Sequence, residues 1–198
     1  MDIVLATKNR KKAAEMSRMF EGYNIRFLTL DAFPGCPDVE EDGKTFRANA
    51  LKKARAVAKF TGHPALADDS GLEVFSLGGA PGVYSARYAG EDADDQKNVK
   101  KLLRELKGSE GEDRDARFVC CMAYLQPDGH QKTFTGYVKG RIGKKEKGDN
   151  GFGYDPLFYP EGHDRTFAEM EASEKDSMSH RGRALKKLFK HLAGLPVR

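Results

Sequence analysis

Cysteine is scarce in this chain of 198 residues, with only Cys36, Cys120 and Cys121 present. Three residues at that spacing build neither a disulfide framework nor a zinc site, and neighbouring cysteines in a strand point to opposite faces. They read as reduced packing residues. Long apolar runs are missing too, so no segment is expected to cross a bilayer and no membrane partner is expected. The chain passes from Met1-Asp2 straight into Ile3-Val4-Leu5-Ala6. That run is too short and too quickly polar for a secretory signal peptide, which points to a cytoplasmic protein. Internal repeats and low-complexity segments are lacking. Neither sign of charge dominates: 34 Lys and Arg stand against 30 Asp and Glu, a net charge of +4, with the cations interleaved among the acids rather than gathered into a tail. Such a balance permits an anionic ligand without indicating a stable nucleic-acid partner.

What is present describes a globular protein, with 39% hydrophobic and 32% charged residues. The length suits one domain with a substantial core, and no boundary in residues 1–198 is clean enough to cut two. Ile3 to Ala6 reads as a strand covered on both faces, followed by a helix to about Phe20 with Ala13, Met16, Met19 and Phe20 at helical spacing. Ile25 to Leu28 returns as a second strand, and a crossover of this kind favours parallel pairing. An irregular stretch around Pro34 and Pro37 leads to Glu40-Glu41-Asp42. A helix then starts near Lys44, with Phe46, Ala50, Ala54, Val57 and Ala58 on one face, and Gly62-His63-Pro64 ends it. Pro64 to Ala67 and Leu72 to Phe75 read as two strands separated by a turn. Asp92, Asp94 and Asp95 precede a helix that buries Val99, Leu102, Leu103 and Leu106. Phe118 to Leu125 and Thr133 to Val138, joined around Pro127-Asp128-Gly129, read as an antiparallel hairpin. Pro156 to Tyr159 reads as a short strand, and a last helix starts near Ser177 or Ser179 with Leu185, Leu188, Phe189 and Leu192 inward. The class is α/β with a mixed sheet.

Ala67-Asp68-Asp69-Ser70-Gly71 is the stretch around which the chemistry gathers. Carboxylates at the edge of a sheet core are costly to desolvate unless cations answer them, and magnesium accepts one or two carboxylates together with water and phosphate oxygens. For the pentapeptide alone an Asx-turn is the simpler reading. Thr7-Lys8-Asn9-Arg10-Lys11-Lys12 lies where a strand gives way to a helix, so unpaired amides, the positive helix end and side-chain cations could receive phosphate. It has no Walker glycines, and a solvated first turn with Thr7 as cap explains it equally well. The acids Glu40 to Asp42 alone suit a solvated run ahead of a helix, and Lys53 alone a solvent-facing lysine. Asn150-Gly151-Phe152-Gly153-Tyr154-Asp155-Pro156 offers two rings that could stack on a planar base, or a turn with Phe152 buried. Lys175 and Ser179-His180-Arg181 could read a base edge or lie on the surface. Taken together, two acidic turns and a cationic helix tip are the parts needed to hold magnesium against a polyphosphate.

In their order along nearly the whole chain, these motifs resemble the inosine triphosphate pyrophosphatase family. The match adds Gly43-Lys44-Thr45-Phe46 with Asn49-Ala50 and Lys53-Ala54, and Gly78-Gly79-Ala80-Pro81-Gly82 with Tyr84-Ser85-Ala86-Arg87-Tyr88. The resemblance implies an elongated mixed sheet flanked by helices, two lobes around a central nucleotide cleft, and a homodimer. It implies magnesium-dependent hydrolysis of deaminated purine nucleoside triphosphates (ITP, dITP, XTP) to the monophosphate and pyrophosphate. Asp69 would be the proton acceptor and, with Glu41, a metal ligand. Thr7, Lys8, Asn9, Arg10, Lys11, Lys12, Lys53 and Ser70 would meet the phosphates and nucleotide. Phe152, Gly153, Tyr154 and Asp155 would shape the base and sugar pocket, and Lys175, His180 and Arg181 would recognise the purine edge. Two rivals remain: a single-strand nucleic-acid module built on the basic helices and the Phe152 and Tyr154 rings, against which the acid clusters speak, and a pyrophosphatase of modified pyrimidine nucleotides.

Overall fold

A computed structural model describes residues 1–92 and 94–193. Six strands form one mixed sheet: β1 Asp2–Leu5, β2 Arg26–Leu28, β3 Ala65–Val74, β4 Asp115–Leu125, β5 Gln131–Ile142 and β6 Phe158–Pro160, in the order β2-β1-β3-β4-β5-β6. The helices are α1 Arg10–Met19, α2 Phe46–Thr61, α3 Asp95–Glu105, α4 Ala172–Met178 and α5 His180–Ala193. β1 pairs in parallel with β2, Ile3 opposite Phe27, and with β3, Leu5 opposite Leu66, as a strand-helix-strand crossover requires. β5 and β6 run antiparallel. β4 and β5 are neighbours joined by a turn in which the Gln126 amide donates to the His130 carbonyl at 2.8 Å, the expected hairpin. Among the described residues no helix is long and apolar enough to cross a membrane.

The residues gather into two compact units, the first of residues 1–69, 120–136 and 181–198, the second of residues 70–119 and 137–180. Neither is a continuous segment, so no single cut in the sequence separates them.

In the first unit the strand alternation decides what each face buries. Ile3 and Leu5 pack with Leu66, with Met16 and Phe20 of the α1 region and with Ala184, Leu185 and Leu188 of α5. Val4 and Ala6 pack with Ala65, Ala67 and, from α2, Ala50, Leu51, Ala54 and Val57. A strand covered on both faces must be apolar at every position, which is why the Ile3 to Ala6 run shows no alternation. The second unit has its own core, in which Leu72, Val74, Phe118, Val138, Tyr154, Phe158 and Phe167 surround Val99, Leu102 and Leu106 of the α3 region.

One expectation is corrected. The acids Asp68 and Asp69 do not occupy a turn between two strands but lie inside β3, which runs unbroken from Ala65 to Val74. Gly71 has no positive φ, and the carboxylates have partners on their own faces of the sheet, so nothing draws the backbone into an Asx-turn. The last helix starts beside Ser179, as its spacing indicates, and a short helix without a signal in the sequence precedes it. α4 ends at Met178, Ser179 takes an extended conformation with ψ 162°, and α5 starts at His180.

Candidate active site

The period of two in β3 sends the two aspartates to opposite faces. Asp68 shares the face of Leu66, towards α1 and α5, and Asp69 shares that of Ala65 and Ala67, towards α2. Asp68 is fully buried, with the Lys12 ammonium and the Arg181 guanidinium each 3.2 Å from its Oδ2. Burial alone would drive its pKa up. Lys12, Arg181 and Lys53 outweigh that and hold the carboxyl well below the usual carboxylate range, so it is ionised. Arg181, 1% exposed, also donates to Glu15 of α1, and these two carboxylates raise its own pKa against the opposing effect of burial.

Asp69 meets a different environment. Its Oδ2 accepts from Asn49 Nδ2 at 3.0 Å, yet burial, with the nearby charge of Glu41 adding to it, pushes its pKa up to about 6 against the pull of Lys53 and Lys12. Lys53 spans the site. Its Nζ donates to Glu41 Oε1 at 2.8 Å and to the Asp68 carbonyl at 2.6 Å, with only 12% of the side chain exposed. Burial opposes its charge, but Asp68, Glu41 and Asp69 together raise its pKa. Of the neighbouring acids Glu40 is exposed, whereas Glu41 turns to Lys53 and acts on Asp69.

The start of α1 is ordered by side-chain hydrogen bonds. Asn9, not Thr7, is the N-cap: its Oδ1 accepts from the Lys12 amide at 3.1 Å, while Thr7 Oγ1 accepts from the Asn9 amide at 3.1 Å. Capping directs the first turn so that Lys12 lies inward and Lys8, Arg10 and Lys11 lie exposed. Lys8 pairs with Asp38.

In the second unit the Asn150 to Pro156 loop is held by one buried carboxylate. Asp155 Oδ2 accepts from the Phe152 amide at 2.9 Å and from Lys175 Nζ at 2.5 Å, both residues of the ion pair being buried. Gly151 has φ 74°, and a Cβ there would lie 2.1 Å from Asp155 Oδ2, so only glycine fits. The Gly153 amide donates to Asp95 Oδ2 at 2.9 Å. Of the two rings, Tyr154 belongs to the core, its hydroxyl donating to the Ser85 carbonyl at 2.9 Å, and Phe152 is only half-buried, with the Lys175 ammonium 5.1 Å from its centroid. His180 is buried and stacks on Phe118, with centroids 4.7 Å apart and an interplanar angle of 12°. Ser70, the next residue of β3 after Asp69, is partly exposed.

The candidate residues therefore fall into two sets. Lys12, Glu41, Lys53 and Asp69 come together in the first unit, joined there by Arg181, whose partners are Asp68 and Glu15 rather than the Lys175 and Asp155 pair. Phe152, Gly153, Asp155 and Lys175 come together in the second, where Tyr154 and His180 also lie. Sequence reasoning passed over Glu15, gave Asn49 no part of its own, and missed Asp95. Asn49 carried a signal: it is a polar residue within the apolar face of α2, four positions before Lys53 and hence on the same side of the helix. Glu15 and Asp95 had none that spacing could supply.

A buried acid held below the usual range beside one pushed above it, with lysines reaching them from two helices, marks an α/β enzyme that handles charged substrates. The Ham1 family model matches residues 3–191. A dITP/XTP pyrophosphatase of Desulforamulus reducens is 50% identical over 197 residues, spanning 100% of this chain and 98% of its own length. One from Bacillus subtilis is 48% identical over 193 residues, 96% of each chain. The solved structure of a HAM1 protein from Coxiella burnetii is 44% identical, with a TM-score of 0.89 covering 98% of this chain and 100% of that one. The chain belongs to the Ham1 family.

Proposed function

We propose that this protein hydrolyses deaminated purine nucleoside triphosphates, ITP, dITP and XTP, to the nucleoside monophosphate and pyrophosphate, clearing them before polymerases use them. The observation that carries the reading is that Lys53 joins Glu41, at 2.8 Å, to the Asp68 carbonyl, at 2.6 Å, beside Asp69, while Lys12 stands 3.2 Å from the Asp68 carboxylate. The family relationship narrows the substrate class, since curated relatives of about half-identical sequence are dITP/XTP pyrophosphatases.

Magnesium fits the residues present. Asp69 and Glu41 offer hard oxygen donors, and the burial and like charge that push Asp69 up to about 6 are penalties that a bound divalent cation would offset. Magnesium keeps water and phosphate oxygens in the positions that one or two carboxylates leave open. When bound, the ion supplies Lewis acidity at the phosphoryl group undergoing substitution.

The remaining work falls to the chain. Asp69, held by Asn49, orients the attacking water and takes its proton. Lys12, Lys53 and the capped start of α1, with Thr7, Asn9, Lys8, Arg10 and Lys11 around it, neutralise charge on the phosphates and on the departing pyrophosphate. Asp68, Arg181 and Glu15 keep Lys12 in place. No enzyme nucleophile is needed: the described cysteines are free, and Cys120, buried, has its thiol pushed far up by burial. Ser70 contacts the nucleotide. Phe152 stacks on the base, Gly153, Tyr154 and Asp155 shape its surroundings, and Lys175 and His180 supply donors for a 6-keto oxygen, an edge at which adenine offers a donor instead.

We further infer a cytoplasmic homodimer, the exposed rings of Phe75, Tyr84 and Tyr137 supplying apolar area for a second copy. Pyrophosphate release from ITP, dITP and XTP with magnesium, set against ATP and GTP, tests the activity. Release of single phosphates, or equal turnover of ATP, would overturn it. Sedimentation at micromolar concentration tests the dimer.

A further inference from the structure

Asn49 is completely buried, yet its side chain is not spent on α2 itself. Its Oδ1 accepts from the Gly43 amide at 2.7 Å, and its Nδ2 donates to Asp69 Oδ2 at 3.0 Å. One amide thus ties the loop after Glu41 and Asp42 to the middle of β3, through its oxygen as acceptor and its nitrogen as donor. The fit on the loop side is close. A Cβ on Gly43 would lie 2.5 Å from Asn49 Oδ1 and 3.0 Å from Ala48 Cβ, so the absence of a side chain at residue 43 is what lets the amide reach. The loop has a second tie to the site, through Glu41 and Lys53, but that one runs through a flexible lysine. A buried amide with both ends bonded has little freedom to move.

We propose that Asn49 is a positioning residue that sets the separation and orientation of the Glu41 and Asp69 carboxylates and so determines the site's affinity for a divalent cation. The inference rests on the proposed magnesium-dependent hydrolysis. Its physical basis is that partners hydrogen-bonded to a metal-binding carboxylate fix its direction, and that removing them costs roughly 10- to 100-fold in affinity. Asn49 touches neither phosphate nor base in this role. Its loss should therefore act through the metal rather than through nucleotide recognition.

The test uses Asn49→Leu, which keeps volume and removes both bonds, and Gly43→Ala, which breaks the same bridge from the loop side while leaving Asn49 in place. Manganese binding to the full chain, followed by electron spin resonance in the absence of nucleotide, is the readout besides activity, and circular dichroism reports folding. Both variants are expected to stay folded, to bind manganese about tenfold or more weakly, and to recover pyrophosphate release at raised magnesium with the KM for ITP nearly unchanged. A residue that only stabilised the fold would lower the melting temperature and leave the cation affinity of the folded protein alone. Affinities within about twofold of wild type in the two variants would overturn the proposal, as would loss of folding in both, which would make Asn49 a folding residue. If the wild type itself binds no manganese and releases no pyrophosphate, it is the proposed function that fails.

Discussion

The two units solve the problem of burying charge in different ways. In the first, the charges around β3 are shared between elements: Asp68 of β3 faces Lys12 of α1 and Arg181 of α5, and Lys53 of α2 joins Glu41 to the β3 backbone. In the second, one carboxylate in a loop, Asp155, answers Lys175 of α4 and the Phe152 amide. Strands and helices fix direction to a fraction of an ångström, as a phosphoryl transfer requires. A loop with an aromatic ring and glycines adapts to the shape of a base instead. The contrast predicts that variants in the first unit change rate and cation affinity, and variants in the second change KM and base preference.

The largest effect tests Asp69. Asp69→Asn should reduce pyrophosphate release by about a thousandfold, the range for removing a general base. The same change should stabilise the metal-free protein. The folded pKa of Asp69, about 6, lies above its ordinary 3.8, so the folded state holds the proton more tightly than the unfolded one. The contribution of Asp69 to stability is then greatest below pH 4, falls as pH rises through the window from about 4 to 6, and stays lower above it, whereas Asp68, with its lowered pKa, contributes in the opposite sense. Asparagine removes that slope and should add about 1–3 kcal/mol at pH 7.5. Urea unfolding at pH 4 and 7.5 without metal checks both parts. Equal stability of the two proteins at pH 7.5 would show that Asp69 is not the strained acid of the site.

Arg181 comes next. Replacing it with Met leaves Glu15 and Asp68 buried without their guanidinium, and removing one partner of a buried pair costs about 3–5 kcal/mol. Chemical denaturation should register that loss. Lys175→Met strands Asp155 in the second unit and should cost a similar amount, but its kinetic signature should be a raised KM and weaker preference for ITP over ATP.

Much of this was legible in the sequence for a physical reason: periodicity records burial. The unbroken Ile3 to Ala6 run announced a strand covered twice, and the Phe46, Ala50, Ala54 and Val57 spacing announced α2. What could not be read was where polar atoms find partners. Asp68 and Asp69 looked like a turn because aspartate is rare within a strand, and partners distant in sequence make the strand tolerable: the cations of α1 and α5 for Asp68, and Asn49 and Lys53 of α2 for Asp69. Arg181 read as a residue of the base edge or of the surface at a helix start, and its burial against Glu15, 166 residues away, leaves no local trace. The plain alternative for this loop buried Phe152, and packing sent Tyr154 into the core instead.

The smaller effects separate the units most sharply. Phe152→Ala should raise the KM for ITP by roughly five- to hundredfold, the equivalent of about 1–3 kcal/mol of stacking, and leave manganese affinity untouched. Lys8 is the control on the other side. Its pair with Asp38 has side-chain exposures of 65% and 79%, and exposed pairs contribute about 0–1 kcal/mol. Lys8→Ala should therefore leave stability unchanged within about 0.5 kcal/mol, so any change in KM reads its contact with phosphate alone. A severalfold rise that shrinks with added salt would place Lys8 with Lys12 among the phosphate-binding cations. No rise would confine that work to the inward residues of α1 and show that the capped turn, not its exposed charges, receives the anion.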